Sequence, residues 1–171
     1  MTMSSSAGTT TYSTPSDREI VMTRVFDAPR RLVFEAHTNP EHPPKWMTGP
    51  EGWTMPVCEI DLRPGGSWHF VWTKSDGERI EMRGAYQEVD PPGRVVSTES
   101  WGEGWPETLN TLVLTEHDGR TTLTNTMLYP TKADRDRALE TGMKDGTDLS
   151  YDRLAAHLGT WRVDHRQSTL R

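Results

Sequence analysis

Two stretches decide the architecture of this chain: Phe26-Asp27-Ala28-Pro29-Arg30-Arg31-Leu32-Val33-Phe34-Glu35-Ala36 near the front, and Thr141-Gly142-Met143 through Ser150-Tyr151-Asp152-Arg153-Leu154 near the back. The first reads as a strand running into a helix. Asp27 sits where an N-cap belongs, and Pro29 falls in the first turn, where a missing N–H does no harm. Leu32, Val33, Phe34 and Ala36 give that helix an apolar side, and it ends near Thr38. The second reads as a glycine-hinged turn feeding a long terminal helix. Its inward side is expected to be Met143, Leu149, Leu154, Ala155 and Leu158, with Gly142 and Gly146 setting its angle of approach.

Working outward, Glu19 to Phe26 is a short strand of imperfect alternation, with Ile20, Met22 and Arg24 set against Val21, Val25 and Phe26. Asn39-Pro40-Glu41 starts a second helical segment, which Pro43 and Pro44 limit to about a single turn carrying Trp46 and Met47. Strands then follow one another, each closed by a turn signal. Met55 to Leu62 precedes Arg63-Pro64-Gly65-Gly66. In Ser67 to Thr73, Trp68, Phe70 and Trp72 share one face and His69 and Val71 the other, by the period of two. Ser75-Asp76-Gly77-Glu78 makes a hairpin to Arg79–Asp90, whose Ile80, Met82, Gly84 and Tyr86 line one side. Arg94 to Trp101, Thr108 to Glu116 and Arg120 to Tyr129 complete the series, with Thr131 capping a charged helical stretch from Asp134 to Glu140.

An antiparallel sheet with two short helices after its first strand and one long helix at its end defines an α+β chain of helix-grip type, a curved sheet wrapped around the C-terminal helix. The expected organisation is a disordered Ser/Thr-rich tail at 1–17, one domain at 18–158 and a polar, frayed tail at 159–171. Removal of residues 1–17 is accordingly expected to leave stability unchanged.

Bulk properties exclude several functions. At 171 residues, 33% hydrophobic and 26% charged, the chain suffices for one domain with a core. A net charge of -6 is wrong for nucleic acid, which selects clustered Lys and Arg. No apolar run approaches the roughly 20 residues of a membrane-spanning helix. No secretory signal is visible, and the single cysteine, Cys58, fits a reducing compartment, so a cytoplasmic location is expected. Histidines are scattered without ligand spacing, and there is neither a Gly-x-Ser-x-Gly elbow nor a glycine cradle opening a helix; no metal, cofactor or catalytic residue is expected.

The stretch Phe26-Asp27-Ala28-Pro29 through Val33-Phe34-Glu35-Ala36-His37-Thr38-Asn39-Pro40-Glu41 resembles the opening of the SRPBCC superfamily. The branch is that of the C-terminal domain of the heat-shock protein 90 ATPase activator. Ile60-Asp61-Leu62-Arg63-Pro64-Gly65-Gly66, Gly84-Ala85-Tyr86-Gln87-Glu88-Val89, Gly119-Arg120-Thr121-Thr122-Leu123-Thr124 and Ser150-Tyr151-Asp152-Arg153-Leu154 follow in the same order, over residues 18–158. The resemblance implies a START-like domain that binds small hydrophobic molecules between sheet and terminal helix, and it implies no shared catalytic residue.

Seven tryptophans against three phenylalanines make the aromatic content the most informative chemistry. The expected ligand-facing wall is Trp68, Phe70, Trp72, Met82, Tyr86, Leu123, Met127 and Met143, with Trp46 and Trp105 near the mouth and Asn125 as a polar group within. Cys58 is expected to act as a small buried hydrophobe, and Asp134, Arg135, Asp136 and Arg137 as a solvated helix face. The favoured function is binding of a small hydrophobic or aromatic molecule, with no nucleic-acid partner or membrane insertion, and with a homodimer left open. The alternatives are a cofactor-independent cyclase or hydratase working in the same cavity, and a chaperone-associated interaction module. A polar pair inside the cavity would favour the enzyme.

Overall fold

The alternation that governs the molecule is clearest in β2 (Glu19–Phe26), where every second residue is buried. Ile20, Met22, Arg24 and Phe26 all point inward, so Phe26 lies on the face of Arg24 and not against it as the sequence suggested. The computed structural model describes residues 8–169. Eight strands form one antiparallel, curved sheet: β1 (Thr11–Ser13), β2, β3 (Trp53–Ile60), β4 (Ser67–Lys74), β5 (Arg79–Asp90), β6 (Arg94–Glu99), β7 (Thr108–His117) and β8 (Arg120–Leu128). Their order is β1-β2-β8-β7-β6-β5-β4-β3, so β1 and β3 are the edges. Pro56 sits in β3, where an edge strand tolerates a missing donor.

Four helices complete the chain. α1 (Arg30–Thr38) begins after Pro29, which occupies the N-cap position expected of Asp27 and makes no side-chain hydrogen bond there. α2 (Pro43–Trp46) is the single turn that its two leading prolines permit. α3 (Lys132–Leu139) is capped by Thr131, whose Oγ1 accepts from the Asp134 N–H at 3.0 Å. α4 (Met143–Thr169) places Tyr151, Leu154 and Leu158 in one core cluster with Phe26, Trp68, Phe70 and Leu123 of the sheet. Two expectations about α4 fail. Leu149 is 41% exposed and Ala155 is exposed too, each one position off the inward stripe of Ser150, Tyr151, Leu154 and Leu158. A Cβ built on Gly142 or Gly146 meets nothing within 4 Å, so neither glycine is needed for the helix to approach the sheet.

The tails also differ from expectation. Residues 1–7 lie outside the described residues, but the segment after them is built into the fold. β1 pairs with β2 in the register Thr11↔Thr23, Tyr12↔Met22, Ser13↔Val21. Thr10 Oγ1 accepts from Arg24 Nη1 at 3.2 Å, and Tyr12 Oη donates to Asp148 Oδ1 on α4 at 2.7 Å. Ser16 O accepts from Arg135 Nη1 at 2.8 Å, which buries Arg135 in what had looked like a solvated helix face. The segment has few apolar groups, and its order comes from backbone pairing and from long donors elsewhere in the chain. At the other end, α4 continues through the expected frayed tail to Thr169. Trp161 there stacks on His42, with ring centroids 4.4 Å apart.

Deleting residues 1–17 removes the β1 ladder and strips partners from Arg24, Asp148 and Arg135. A loss of about 1 kcal/mol in a domain of this length is expected to lower the thermal midpoint by roughly 2–4 °C. A midpoint unchanged by the deletion would show that these contacts contribute nothing. Leu154, fully buried at 0% exposure, carries the helix–sheet contact. Leu154→Ala is expected to destabilise by about 2–5 kcal/mol in urea unfolding.

Candidate functional site

Residues directly opposite one another in an antiparallel ladder share a face, so the register can be read across the whole sheet. One inward row runs Met22, Asn125, Leu112, Val95, and the next runs Ile20, Met127, Asn110, Ser97, Tyr86. Trp68 opposes Gly84 on the neighbouring strand. The pairings Arg83↔Ser100 and Tyr86↔Ser97 bracket Gly84 opposite Glu99, and Glu99 opposes Thr108. A further row holds Cys58, Phe70 and Met82.

Most of the expected wall is assembled on this face. Trp68, Phe70, Trp72, Met82, Tyr86 and Leu123 are buried in the larger core cluster, with Tyr151, Leu154 and Leu158 of α4. Met127 and, less buried, Met143 belong to a second cluster with Ile20, Met22 and Tyr129. The two clusters are separated by inward-facing residues that are polar or only half-buried: Ser97, Glu99, Asn110, Leu112 and Asn125. Asn125 is therefore placed as expected, between the clusters. Cys58 faces inward but is half-buried, and desolvation pushes its thiol up to about 11.

The two residues expected at the mouth are elsewhere. Trp46 is 1% exposed and donates its indole N–H to Ala36 O at 3.0 Å, which makes it core. Trp105 lies in the loop after β6, under the Arg137 guanidinium at 4.0 Å from its ring, while Arg137 Nη1 donates to Gly104 O. That loop is thus fastened to α3. The rim position is taken by Trp101, 44% exposed, whose ring stacks on Trp72 at 5.8 Å.

The sequence reading missed Glu99. Burial raises its carboxyl above the usual value, against hydrogen bonds from the Asn110 side-chain amide and the Trp101 side chain that favour the ionised form. Thr108 Oγ1 in turn donates to Asn110 Oδ1 at 3.1 Å, which fixes the amide with its NH2 toward Glu99. The signal was present: Val95, Ser97, Glu99 and Trp101 have one parity, and Val95 alone would have pointed all of them inward.

Arg24 is the other inward charge, 1% exposed, donating to Asp152 Oδ1 of α4 at 2.9 Å. Its Nε–H has no hydrogen-bond partner, and neither has the Trp68 indole N–H. Tyr151 lies within reach of both Arg24 and Glu99, and burial holds its hydroxyl well above the usual range. Burial also pushes Tyr129 up to about 12, with the Glu99 charge adding to the effect. Among the described residues no group of three or more His, Cys, Asp or Glu is placed to hold a metal ion. No described helix is long and apolar enough to cross a membrane. An open groove of about 320 Å³ lies between Gln87, Thr98, Leu109 and Leu128, with Thr108 and Tyr129 also on its lining.

A curved antiparallel sheet gripping a long C-terminal helix, with two short helices after the first full strand, defines the helix-grip class. The chain belongs to the family of activator of Hsp90 ATPase homolog 1-like proteins, whose family model matches residues 27–159. Among solved structures it is similar to a protein of Rhodobacter sphaeroides at 27% identity, TM-score 0.83, covering 89% of this chain and 99% of that one. Ms6760 of Mycobacterium smegmatis is 24% identical with TM-score 0.77, covering 88% of this chain and 97% of that one. CalU16 of Micromonospora echinospora is 21% identical with TM-score 0.60, covering 94% and 90% respectively. At these last two identities the likeness is one of fold alone. Comparison with curated proteins gave no match.

The raised carboxyl has a stability consequence. A folded value above the unfolded one means that the native state binds the proton more tightly, so stability is full below the unfolded value and is lost as pH rises through the folded one. Glu99→Gln removes that loss. A higher urea midpoint than wild type at pH 7 is expected, with the advantage gone at pH 4. An advantage that persists at pH 4 would assign the effect to packing and not to charge.

Proposed function

We propose that this protein binds a small apolar or aromatic molecule between the concave face of the sheet and α4. One observation carries the reading: Glu99 faces inward between two buried apolar clusters, yet it keeps accessible surface. A side chain surrounded by protein and still accessible borders an internal space. Asn110, Leu112 and Asn125, half-buried on the same face, support the same conclusion, since a filled core would cover them completely. The flanking walls are aromatic and thioether groups, Phe70, Tyr86, Met82 and Met127, suited to a ligand with a large apolar body.

A second reading, acid–base chemistry on the bound molecule, is supported by the inward Glu99–Asn110 pair, the polar pair that binding alone does not require. It uses the same space and does not compete with the first.

Naphthalene is a suitable probe. Isothermal titration is expected to show saturable binding with a Kd on the order of micromolar to tens of micromolar, ordinary for a small apolar site. Leu112→Trp adds bulk where the inward face is half-exposed, and is expected to abolish binding with little change in thermal midpoint. Undiminished binding in that variant would place the probe elsewhere. A strongly destabilised variant would mean that the position is already filled, because overpacking costs about 1–3 kcal/mol.

A further inference from the structure

The inward row of Trp68, Gly84, Glu99 and Thr108 contains an arrangement that the apolar reading does not use. Trp68 is 6% exposed, and its indole N–H, a group that only donates, has no partner. Buried donors without partners are rare in native proteins and costly, so an unpaired one on a ligand-facing wall points to an acceptor that arrives with the ligand. The indole reaches sideways across the sheet. A Cβ built on Gly84 would come within 2.7 Å of Trp68 Nε1 and 1.8 Å of Thr98 O, so the donor lies over β5, where the Thr98 carbonyl already fills the place of a Gly84 side chain. The strand beyond β5 is β6, and the residue opposite Gly84 there is Glu99. An unpaired donor and a carboxyl thus stand on the two strands that flank β5, in one inward row whose middle residue, Gly84, has no side chain.

The pair selects a chemistry. A carbonyl would accept from Trp68 but could offer nothing to Glu99 in the ionised form that the Asn110 and Trp101 donors favour. An amine cation would donate to Glu99 but leave Trp68 unpaired. A hydroxyl does both, accepting from the indole and donating to the carboxylate. Phe70 is tilted against Trp68 at 5.0 Å between ring centroids, and Trp101 donates to Glu99 from the rim; the flanks are therefore flat and aromatic.

Resting on the reading of an apolar ligand space, we propose that the ligand is a hydroxyl-bearing aromatic molecule of the phenol class, with its hydroxyl held between Trp68 Nε1 and the Glu99 carboxyl. Gly84 is needed by the sheet itself, because a side chain there would meet the Thr98 carbonyl as well as the indole. Asn110 and Thr108 are positioning residues: they hold the carboxyl toward β5 without touching the ligand.

The test compares 2-naphthol with naphthalene by isothermal titration at pH 7, in wild type, Trp68→Phe and Glu99→Leu. Trp68→Phe keeps an aromatic ring and deletes the N–H; Glu99→Leu keeps comparable bulk and deletes the acceptor. Wild type is expected to prefer 2-naphthol by roughly tenfold or more, the equivalent of one well-made hydrogen bond to a charged group. Each variant is expected to bring the ratio of the two dissociation constants toward one. Because the readout is a ratio within one protein, a general loss of affinity in a variant does not mimic the result. If either variant fails to fold, the other decides alone. A wild-type ratio near one with naphthalene still bound overturns this assignment and leaves the apolar site standing. A preference that survives both substitutions overturns it as well. If wild type binds neither probe, the apolar site itself is wrong and the assignment falls with it.

Discussion

A curved eight-stranded sheet exposes a concave face that water cannot be left to cover, and closing that face with a single helix constrains most of this molecule. Tyr151, Leu154 and Leu158 of α4 reach into the same cluster as Phe26, Trp68, Phe70 and Leu123. Each such side chain contributes about 1.5–3 kcal/mol when fully buried. One helix, however, is narrower than a sheet of this breadth. It presents a single apolar stripe, so it cannot fill both ends and the middle of the concavity equally. The core divides into a large cluster and a small one, and the inward residues between them are polar or half-buried. The half-buried middle of the concave face follows from the mismatch between the cover and what it covers.

The same constraint explains the charges on the inner face. Arg24 points inward because the period of two leaves it no alternative between Met22 and Phe26. Its charge is met at the helix by Asp152 and at the N-terminal segment by Thr10. A buried guanidinium without those partners would be strongly destabilising. Segment 8–17 is therefore part of the closure: β1 extends the sheet edge, Tyr12 bonds to Asp148, and Ser16 accepts from Arg135. Around α2, His42 and His157 share a 2.9 Å hydrogen bond in which one ring must accept, so both rings cannot be charged there. Burial lowers the basicity of each, and that of His37, down to about 4, whose Nδ1 lies 2.8 Å from Val33 O.

Strand identity, hairpin positions and the inward set on β4 and β5 were legible in the sequence, because alternation and turn chemistry are local. Ser67–Lys74 and Arg79–Asp90 carry Trp68, Phe70, Trp72, Met82 and Tyr86 on the expected face. What failed was non-local. Leu149 is apolar and near the stripe, but the rotation of α4 is set by its partners, and it falls outside. Trp46 looked like a gatepost because of its loop, yet its indole finds Ala36 O and becomes core. Residues 8–17 looked structureless by composition, and composition cannot register donors more than a hundred residues away, such as Arg135.

Glu99 shows where local and non-local information meet. Parity along β6 places it on the side of Val95, so its inward direction was readable. Its consequence was not, because that depends on Asn110 from β7, on Trp101 beyond the strand end and on the absent side chain at Gly84 of β5. A charged residue facing an apolar interior is unfavourable unless its partners are fixed beforehand. Here Thr108 fixes Asn110, and Asn110 orients Glu99, so part of the cost of placing a carboxyl in the wall is offset by neighbours on the same sheet. That arrangement is already made before any ligand enters, and a preorganised acceptor loses less to ordering on binding than one that must be recruited. The sheet that leaves the space thereby also supplies its one directional contact, and the unpaired Trp68 N–H across Gly84 gives that contact its second half.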